Sequence, residues 1–253
     1  MALLTDGTLA GIHDLTQIDS GLLDIAKTEG IDLLQKLDLA RQEITYLVSQ
    51  VLDDPSTQVS GVVITGFYAT DKVVVDARLQ RWHALETLSQ VYRDLFHSQL
   101  NDRYGKRWEQ YRLLSETASI DYLHGGIPVV GDPIPRPLSP DVIVTAGTLS
   151  ATTYYLAVSL TRNGKEGEAS EVTALSAPDG HSLEVKAPTP SGNSTGWNLY
   201  AGLTAQSLGL QSQAPQTTDA QIVATTLSTE GRKPSCGQAA ETKIRPNRRL
   251  RRG

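Results

Sequence analysis

The residues best suited to chemistry near neutral pH are the five histidines, because an imidazole can bind a metal or transfer a proton there. They are spread along the chain at positions 13, 83, 97, 124 and 181. His83 and His97 lie on one predicted helix, about 21 Å apart along its axis, which is too far to share a metal. Each histidine is therefore expected to be structural or solvated, and no metal site is predicted.

Sequence motifs for nucleophilic catalysis and phosphate binding are absent. The chain contains no GxSxG, HExxH, Walker A or GxGxxG pattern. Its acidic residues are scattered, with no pair held in place for acid–base catalysis. The segment Thr16–Asp24 lacks the central glycine and the closing glutamate of a calcium loop. The sequence therefore predicts a protein that is not an enzyme and that binds no cofactor.

The last eleven residues, KIRPNRRLRRG, are strongly basic, although the whole chain has a net charge of −5. They include no aromatic residue to stack on bases and no amphipathic stripe for a lipid surface. Arginine–carboxylate pairing in an acidic groove of a protein partner is the favoured interpretation. Nucleic-acid or membrane binding and a solubilising tail are the alternatives. The predicted partner-binding residues are Lys243, Arg245, Arg248, Arg249, Arg251 and Arg252.

Trp197, in the segment TGWNLYAG, is the aromatic residue considered for ligand binding. A tryptophan exposed on a β-sheet can stack on a sugar ring, which would make the surrounding domain a glycan-binding module. Packing in the core is favoured over this role, because Leu199 lies two residues on and shares its face of the predicted strand. Trp197 remains a candidate glycan contact.

The composition is typical of a globular protein. The 253 residues, 39% of them hydrophobic and 20% charged, are enough for two domains. No apolar run is long enough for a transmembrane helix, and the N-terminal residues lack the basic start of a secretory signal. The single cysteine, Cys236, excludes an internal disulfide and a multi-thiolate metal site, and it is consistent with a reducing cytoplasm.

Apolar residues spaced three and four apart predict a helical domain over residues 1–124. One helix is expected from 31 to 52, and a second from 71 to 100 with Asp71 as its N-cap. Gly105 is expected to end the second helix, and a shorter third helix follows it. The helices should pack as a small antiparallel bundle. The buried faces are expected to contain Ile31, Leu34, Leu37, Ile44, Leu47, Val48 and Val51, and then Val75, Leu79, Trp82, Leu85, Leu88, Tyr92 and Leu95.

Residues 125–140, GGIPVVGDPIPRPLSP, predict a domain boundary because they contain five prolines and three glycines. Neither a helix nor a central strand is expected there, since proline lacks a backbone donor and glycine resists ordering. The segment should act as a semi-rigid spacer. Residues 60–70, SGVVITGFYAT, are predicted to form a strand or an extended loop beside the bundle.

Short β-prone runs alternate with turns over residues 141–230, and Asn163-Gly164 and Asp179-Gly180 are the strongest turn signals. Six or seven antiparallel strands predict a sandwich of the immunoglobulin or fibronectin type III kind. Residues 231–253 lack a hydrophobic period and should form an extended basic arm. The predicted fold class is therefore α+β and multidomain. In the run TYYLAVSL, the residues expected to face the core are Tyr154, Leu156, Val158 and Leu160, opposite Tyr155, Ala157 and Ser159.

These segments resemble a family of virion proteins. The runs TYYLAVSLTRNGKEGEAS, PDGHSLEV and TGWNLYAG resemble the fibronectin-like modules appended to neck and tail proteins of tailed bacteriophages. The ending IRPNRRLRRG is similar to the arginine-rich terminus of phage proteins with this architecture. The helical segment EGIDLLQKLDLARQEI, followed by a long helix with Trp82 and Tyr92, resembles a head-to-tail adaptor, or connector.

The resemblance implies a structural role at the neck of the virion, the head–tail junction, after assembly in the host cytoplasm. Adaptors of this kind form a dodecameric ring beneath the portal protein, and a downstream neck or tail protein follows. The arm would embrace the portal, which gives the five arginines of the tail their partner. DNA would pass through the lumen without specific binding, and the β-sandwich would project outward. No membrane partner is implied.

Other functions remain open beside the adaptor. The chain could belong elsewhere in the virion, as a tail-completion or baseplate component. A glycan-binding decoration module that uses Trp197 is a different class of function. An enzyme such as a nuclease is the least favoured.

Overall fold

The computed structural model describes residues 2–7, 9–53, 58–59, 70–99, 102–189, 194–212, 214–223, 227–228 and 231–245. The chain divides into two compact units. The helical unit consists of residues 7–131 together with the residues from 240 onward, and the β unit consists of residues 1–6 together with 132–239. The predicted α+β class is confirmed. The predicted strand or loop at residues 60–70 lies outside the described residues.

Helix α4 is central among the helices of the helical unit, because it packs on both α3 and α5. Its predicted apolar stripe is buried as expected. Within the described residues, no helix combines the length and apolar character needed to cross a lipid bilayer. The helices are α1 (Ile12–Ile18), α2 (Leu22–Glu29), α3 (Leu33–Asp53), α4 (Ala77–Gln99) and α5 (Asp102–Gly125). The strands of both units are β1 (Gln58–Val59), β2 (Ile127–Val129), β3 (Val142–Leu149), β4 (Thr152–Arg162), β5 (Lys165–Glu166), β6 (Thr173–Ala177), β7 (His181–Lys186), β8 (Gly196–Gly202), β9 (Gly209–Leu210), β10 (Ala220–Val223) and β11 (Thr242–Arg245).

Asp76, not Asp71, caps the N-terminus of α4. Its Oδ1 atom accepts hydrogen bonds from the backbone N–H groups of Arg78 and Leu79, at 3.1 and 3.0 Å. Asp71 lies instead in a 3₁₀ turn, and Val73 after it bridges to β2. The predicted cap was wrong because this bridge keeps the chain extended before the helix begins.

Gly105 does not end the second helix but lies within α5. A Cβ atom at this position would lie 2.9 Å from the ring of Phe96 on α4. Glycine therefore permits the close approach of the two helices, which outweighs its low helix propensity. The second helix ends at Gln99, close to the predicted residue 100. The predicted break at Gly105 was wrong for this reason, as was the prediction of a shorter third helix, since α5 has 24 residues.

The buried face of α3 differs in part from the prediction. Leu37, Ile44 and Val48 are buried as expected, but Leu34 and Leu47 are exposed. The buried set begins at Leu33 and continues in steps of three and four residues, so Leu34 and Leu47 lie off the core face. Apolar residues on two adjoining faces of one helix cannot all contact α4.

A three-stranded antiparallel sheet completes the helical unit, with β11 between β1 and β2. Ile244 of β11 is buried, while Lys243 and Arg245 on either side of it are exposed. The prediction of an extended arm from residue 231 is therefore wrong for residues 242–245. Local sequence could not reveal this strand, because it has one apolar residue and its partners lie far away in the chain.

The predicted proline-rich spacer is not exposed throughout. Strand β2 forms within it at the edge of the three-stranded sheet, and Ile127, Val129 and Val130 are buried. Pro128 has no backbone donor, but its carbonyl accepts a hydrogen bond from the backbone N–H of Val74 at 2.9 Å. The division between the two units falls later in the same segment, after Gly131.

The β unit contains two antiparallel sheets around one hydrophobic core. One sheet has the order β10-β7-β3. In the other, β4 pairs with β8 along one edge and with β6 and then β5 along the opposite edge, and β9 pairs with β8. The predicted core face of β4 is confirmed, since its four residues belong to this core. Both predicted turn dipeptides are also confirmed.

The opposite face of β4 is also buried, which the period-two pattern did not indicate. Ala157 packs in a second cluster with Tyr200 of β8 and Leu208, and Ser159 is fully buried. Leu208 belongs to the chain that follows β8. The sheet that contains β4 is therefore covered on both faces, and polar side chains between the layers must find partners there.

Candidate functional site

The helical unit exposes large apolar side chains on α3 and α5, the two long helices that pack against α4. On α3, Leu39 and Tyr46 are seven residues apart and so lie on the same side of the helix, with Tyr46 63% exposed. On α5, Leu113 and Ile120 have the same spacing, with Leu113 51% exposed. The α3 surface is defined by Leu39 and Tyr46, and the α5 surface by Leu113 and Ile120. Leu34 and Leu47 on α3 and Leu114 on α5 are also exposed, but they lie on other sides of their helices.

The charged residues of these two helices are distributed differently. Helix α3 has more acidic than basic residues, whereas the first half of α5, residues 102–112, has more basic than acidic ones. The two helices therefore differ in their charged residues, although both expose large apolar side chains. The charged residues are Lys36, Arg41, Asp38, Glu43 and Asp53 on α3, and Arg103, Lys106, Arg107, Arg112, Asp102 and Glu109 on the first half of α5.

The buried carboxylate of Asp19 forms hydrogen bonds with side chains of two long helices of the helical unit. Asp19 Oδ2 accepts hydrogen bonds from Tyr92 Oη at 2.6 Å, Arg107 Nη1 at 2.5 Å and Tyr111 Oη at 3.1 Å. Burial favours the neutral acid, but the hydrogen bonds from Tyr92 and Arg107 outweigh it and hold the pKa of Asp19 below its usual value. Burial and the adjacent carboxylate raise the pKa of Tyr111 to about 12. This Asp19 cluster joins the α1–α2 turn to α4 and α5.

His83 is a structural histidine, as the sequence predicts. It is fully buried on α4. Its Nδ1 atom accepts a hydrogen bond from the backbone N–H of Ala10 at 3.1 Å, and its Nε2 atom donates one to the carbonyl of Leu37 at 2.8 Å. Burial lowers the pKa of His83, so the neutral ring is the form that fits this site.

The predicted partner-binding cations fall into two groups. Lys243 and Arg245 are exposed on the central strand β11, so their backbone is held in the three-stranded sheet. The arginines at 248, 249, 251 and 252 lie outside the described residues. Of the predicted partner-binding cations, the structure therefore describes only the two on β11.

Trp197 lies in the core of the β unit. It is 4% exposed, and its indole N–H donates a hydrogen bond to the carbonyl of Thr218 at 2.9 Å. No ring face is open for stacking on a sugar, so a glycan contact at Trp197 is not supported. The alternative favoured by its shared face with Leu199, packing in the core, describes its position.

A second buried carboxylate, Glu166 of β5, lies on the opposite face of the sheet that contains β4. Its Oε1 atom accepts hydrogen bonds from the hydroxyl groups of Ser159 and Tyr200, the latter at 2.5 Å. Its Oε2 atom pairs with the guanidinium of Arg232, which also donates to Tyr200 Oη at 3.2 Å. Burial and the Glu166 carboxylate raise the pKa of Tyr200 to about 12. We call these four residues the Glu166 cluster.

A cavity of about 480 Å³ opens beside the Glu166 cluster. Asn198 of β8 lines it, and Asn198 is directly opposite Ser159 of β4 in the strand pairing. Sequence reasoning missed this region, because polar residues that alternate with core residues in a strand indicate a solvated face. The segments that cover this face, around Leu208 and Arg232, are distant in sequence and have no strong pattern of their own.

Within the described residues, no three histidine, cysteine, aspartate or glutamate side chains are grouped so that they could hold a metal ion. Comparison of the chain with protein-family models, with curated proteins and with solved structures gives no match.

Proposed function

We propose that this protein is a structural component of a tailed-phage virion, a head-to-tail adaptor that assembles into a ring under the portal. In this proposal the helical unit makes the contacts between copies, and the basic segment after Arg245 binds the portal. The proposed location is the neck of the virion. The resemblance of the sequence to phage neck proteins motivates the proposal, and the exposed surfaces of the helical unit support it.

The exposed apolar residues of α3 and α5 are the observation that carries the proposal. Of the thirteen large apolar side chains that are exposed among the described residues, seven lie on α3 and α5, and four of these form the α3 and α5 surfaces. Single exposed apolar residues are common in soluble proteins, but sets repeated along two helices are typical of an interaction surface. A second copy of the chain is the proposed occupant of each surface.

Two unlike surfaces favour a head-to-tail contact between copies. If the α5 surface of one copy binds the α3 surface of the next, every copy offers a free surface at each end of a growing chain of subunits. Such an assembly closes into a ring when the rotation between copies permits it. The excess of acidic residues on α3 and of basic residues on the first half of α5 adds favourable charge complementarity.

The β unit has its own place in the proposal, as an immunoglobulin-like or fibronectin-like module on the outside of the ring. Two antiparallel sheets around one core support this classification, as does a tryptophan packed between them. In such modules the sheets provide the rigid body, and the outward face and the loops provide the binding surface.

The contact between copies can be tested with one charged variant for each surface. Tyr46→Lys on α3 and Ile120→Lys on α5 should each abolish ring formation, because a lysine would be buried in an apolar interface. A mixture of the two variants should give a 1:1 dimer, since each variant keeps the surface that the other has lost. Sedimentation velocity and native mass spectrometry measure these species.

Leu138→Lys is the matched control, because Leu138 is an exposed apolar residue of the β unit. This variant should assemble like the unaltered chain. The proposal is contradicted if the unaltered chain stays monomeric both alone and with a portal protein. Rings formed by both surface variants would also contradict the assignment of the interface.

The role of the basic segment can be tested by ending the chain after Arg245, which leaves β11 intact. This truncation should reduce binding to the portal by at least about tenfold, since four arginines are lost that could each pair with a carboxylate of the portal. Because copies of one ring bind one portal together, the effect on the ring should exceed that on a monomer. Surface plasmon resonance with immobilised portal measures both.

A full-length chain with Lys243→Ala and Arg245→Ala is the control for this truncation. These two cations lie on the sheet, so the double variant should retain most of the affinity. Portal binding that is unchanged by the truncation would remove the assigned role of the segment and leave the ring proposal to be judged by the mixing experiment.

A further inference from the structure

Each of the two surfaces of the helical unit continues into a charged residue at the same seven-residue spacing. On α3 an aspartate follows the two apolar residues, and on α5 a lysine precedes them. Seven residues are close to two helical turns, so the three residues of each set lie along one side of their helix, about 10.5 Å apart in succession. All six residues are exposed. The α3 stripe consists of Leu39, Tyr46 and Asp53, and the α5 stripe consists of Lys106, Leu113 and Ile120.

The two stripes complement each other when the helices of two copies run antiparallel. Because the spacing is the same in both, aligning Leu113 with Tyr46 also aligns the residues at the two ends of the stripes. An apolar pair then lies at one end, and a pair of opposite charges lies at the other. The aligned pairs are Leu39 with Ile120, Tyr46 with Leu113, and Asp53 with Lys106.

A parallel alignment matches the apolar residues equally well but offers a poorer partner for Lys106. It would bring Lys106 opposite Asp32, which precedes Leu39 by seven residues. The Asp32 carboxylate already caps α3, because its Oδ1 atom accepts hydrogen bonds from the backbone N–H groups of Leu34 and Gln35 at 2.9 and 3.1 Å. The charged residues therefore favour the antiparallel alignment.

Two glutamates beside the stripes would come near each other in this alignment, and both have partners within the helical unit. The Glu43 carboxylate accepts a hydrogen bond from the side-chain amide of Gln90 on α4 at 2.6 Å. The Glu116 carboxylate lies 3.9 Å from the guanidinium of Arg112, which compensates its charge. Repulsion between the two glutamates across the contact is therefore weakened.

We propose that α5 of one copy packs antiparallel on α3 of the next copy in this register, with Lys106 of the first paired with Asp53 of the second. This inference rests on the proposed contact between copies and adds its direction and the residues that determine its specificity. The apolar pairs would supply most of the affinity, with Tyr46 as the large aromatic anchor. The ion pair would select the direction, because the apolar residues alone fit both directions.

Charge reversal in the full chain tests this register. Asp53→Lys and Lys106→Asp should each lower the association constant between copies by about tenfold, because like charges then meet in the contact. The double variant that carries both changes should return to within about threefold of the unaltered chain, since the ion pair forms again with its charges exchanged. Sedimentation velocity over a range of concentrations measures the association, and thermal unfolding shows whether each variant folds.

Two further variants separate the register from a general effect of charge. Glu171→Lys reverses an exposed charge in the β unit and should assemble like the unaltered chain. A double variant with Asp32→Lys and Lys106→Asp should assemble as weakly as Lys106→Asp alone. Recovery of assembly in this second double variant would indicate a parallel contact and would overturn the proposed direction.

Failure of the register can be distinguished from failure of the contact itself. If Tyr46→Lys abolishes assembly but neither charge reversal weakens it, the contact between copies stands and the register is wrong. The register is also wrong if both reversals weaken assembly and the double variant does not recover. If the unaltered chain stays monomeric both alone and with a portal protein, the contact itself is wrong, and this register with it.

Discussion

Asp19 in the helical unit and Glu166 in the β unit are surrounded by the same kinds of partner, one arginine and two hydroxyl groups. The Asp19 cluster is enclosed by aromatic rings: Tyr92 and Tyr111 stack with their centroids 5.4 Å apart, and the Arg107 guanidinium lies 5.5 Å from the centre of the Tyr92 ring. The Glu166 cluster lies at a cavity, and its arginine is 61% exposed.

The difference shows how one set of groups can serve two purposes. The Asp19 carboxylate lies in the α1–α2 turn, and its hydrogen-bond donors lie on α4 and α5. These bonds therefore hold the turn against the two helices. Around Glu166, the same kind of pairing compensates charge at the wall of a space that a ligand could fill. The surroundings of a carboxylate, more than its immediate partners, determine whether it joins helices in a core or lies at the wall of a cavity.

Matched amide substitutions test this comparison. Asp19→Asn should lower the free energy of unfolding by about 3 kcal/mol, because Arg107 and two tyrosines then lack their buried anion. Glu166→Gln should cost less, about 1.5 kcal/mol, because the exposed Arg232 can turn into water. Urea unfolding gives the total effect, and hydrogen exchange shows in which unit protection is lost.

Asp121→Asn on α5 is the control for this pair, since Asp121 is exposed and should change stability little. Protection should fall in the helical unit for Asp19→Asn and in the β unit for Glu166→Gln. If both substitutions lowered the free energy of unfolding by the same amount, the exposure of the arginine partner would have no effect, and the proposed difference between the two clusters would be wrong.

A smaller effect is expected from pH, with opposite signs in the two units. Burial puts the pKa of His83 below its ordinary value of 6.5, so the unfolded chain takes up the proton first as the pH falls. The helical unit should therefore lose stability below about pH 6.5, by up to about 2 kcal/mol at pH 5. Asp19 contributes in the same direction, but below its ordinary value of 3.8.

The β unit should respond to pH with the opposite sign. Burial raises the pKa of Asp6 above 3.8 and that of Glu168 above 4.5, so the folded state binds protons more readily than the unfolded chain. Their contribution to stability is present at low pH and is lost as the pH rises through the raised values. Hydrogen-exchange protection at pH 7 and pH 5, corrected for intrinsic rates, measures both units in one sample.

Histidine variants test whether His83 causes the pH dependence of the stability of the helical unit. His83→Asn, whose side-chain oxygen can still accept the hydrogen bond from Ala10, should flatten the pH dependence of the helical unit. His13→Gln, at an exposed position, should leave it unchanged. Equal protection of the helical unit at the two pH values would contradict the role of His83.

Local sequence was sufficient to predict those helices, strands and turns that are determined by their own residues. The apolar stripe from Leu79 to Leu95 predicted α4, and alternation along β4 predicted its core face. The turn at Asn163-Gly164 followed from two residue types that tolerate positive φ. The errors occurred where a distant partner intervened: Val73 bridging to β2, Phe96 against Gly105, and β11 pairing with β1 and β2.

By itself, then, the sequence determined the α+β class, most of the long elements and the uneven distribution of charge between body and tail, because these depend on periodicity and composition. The tertiary structure alone decided which side chains surround Asp19 and Glu166, and that Asn198 lines a cavity. Each of these depends on contacts between segments that are far apart in the chain, and the spacing of residues within one segment contains no information about them.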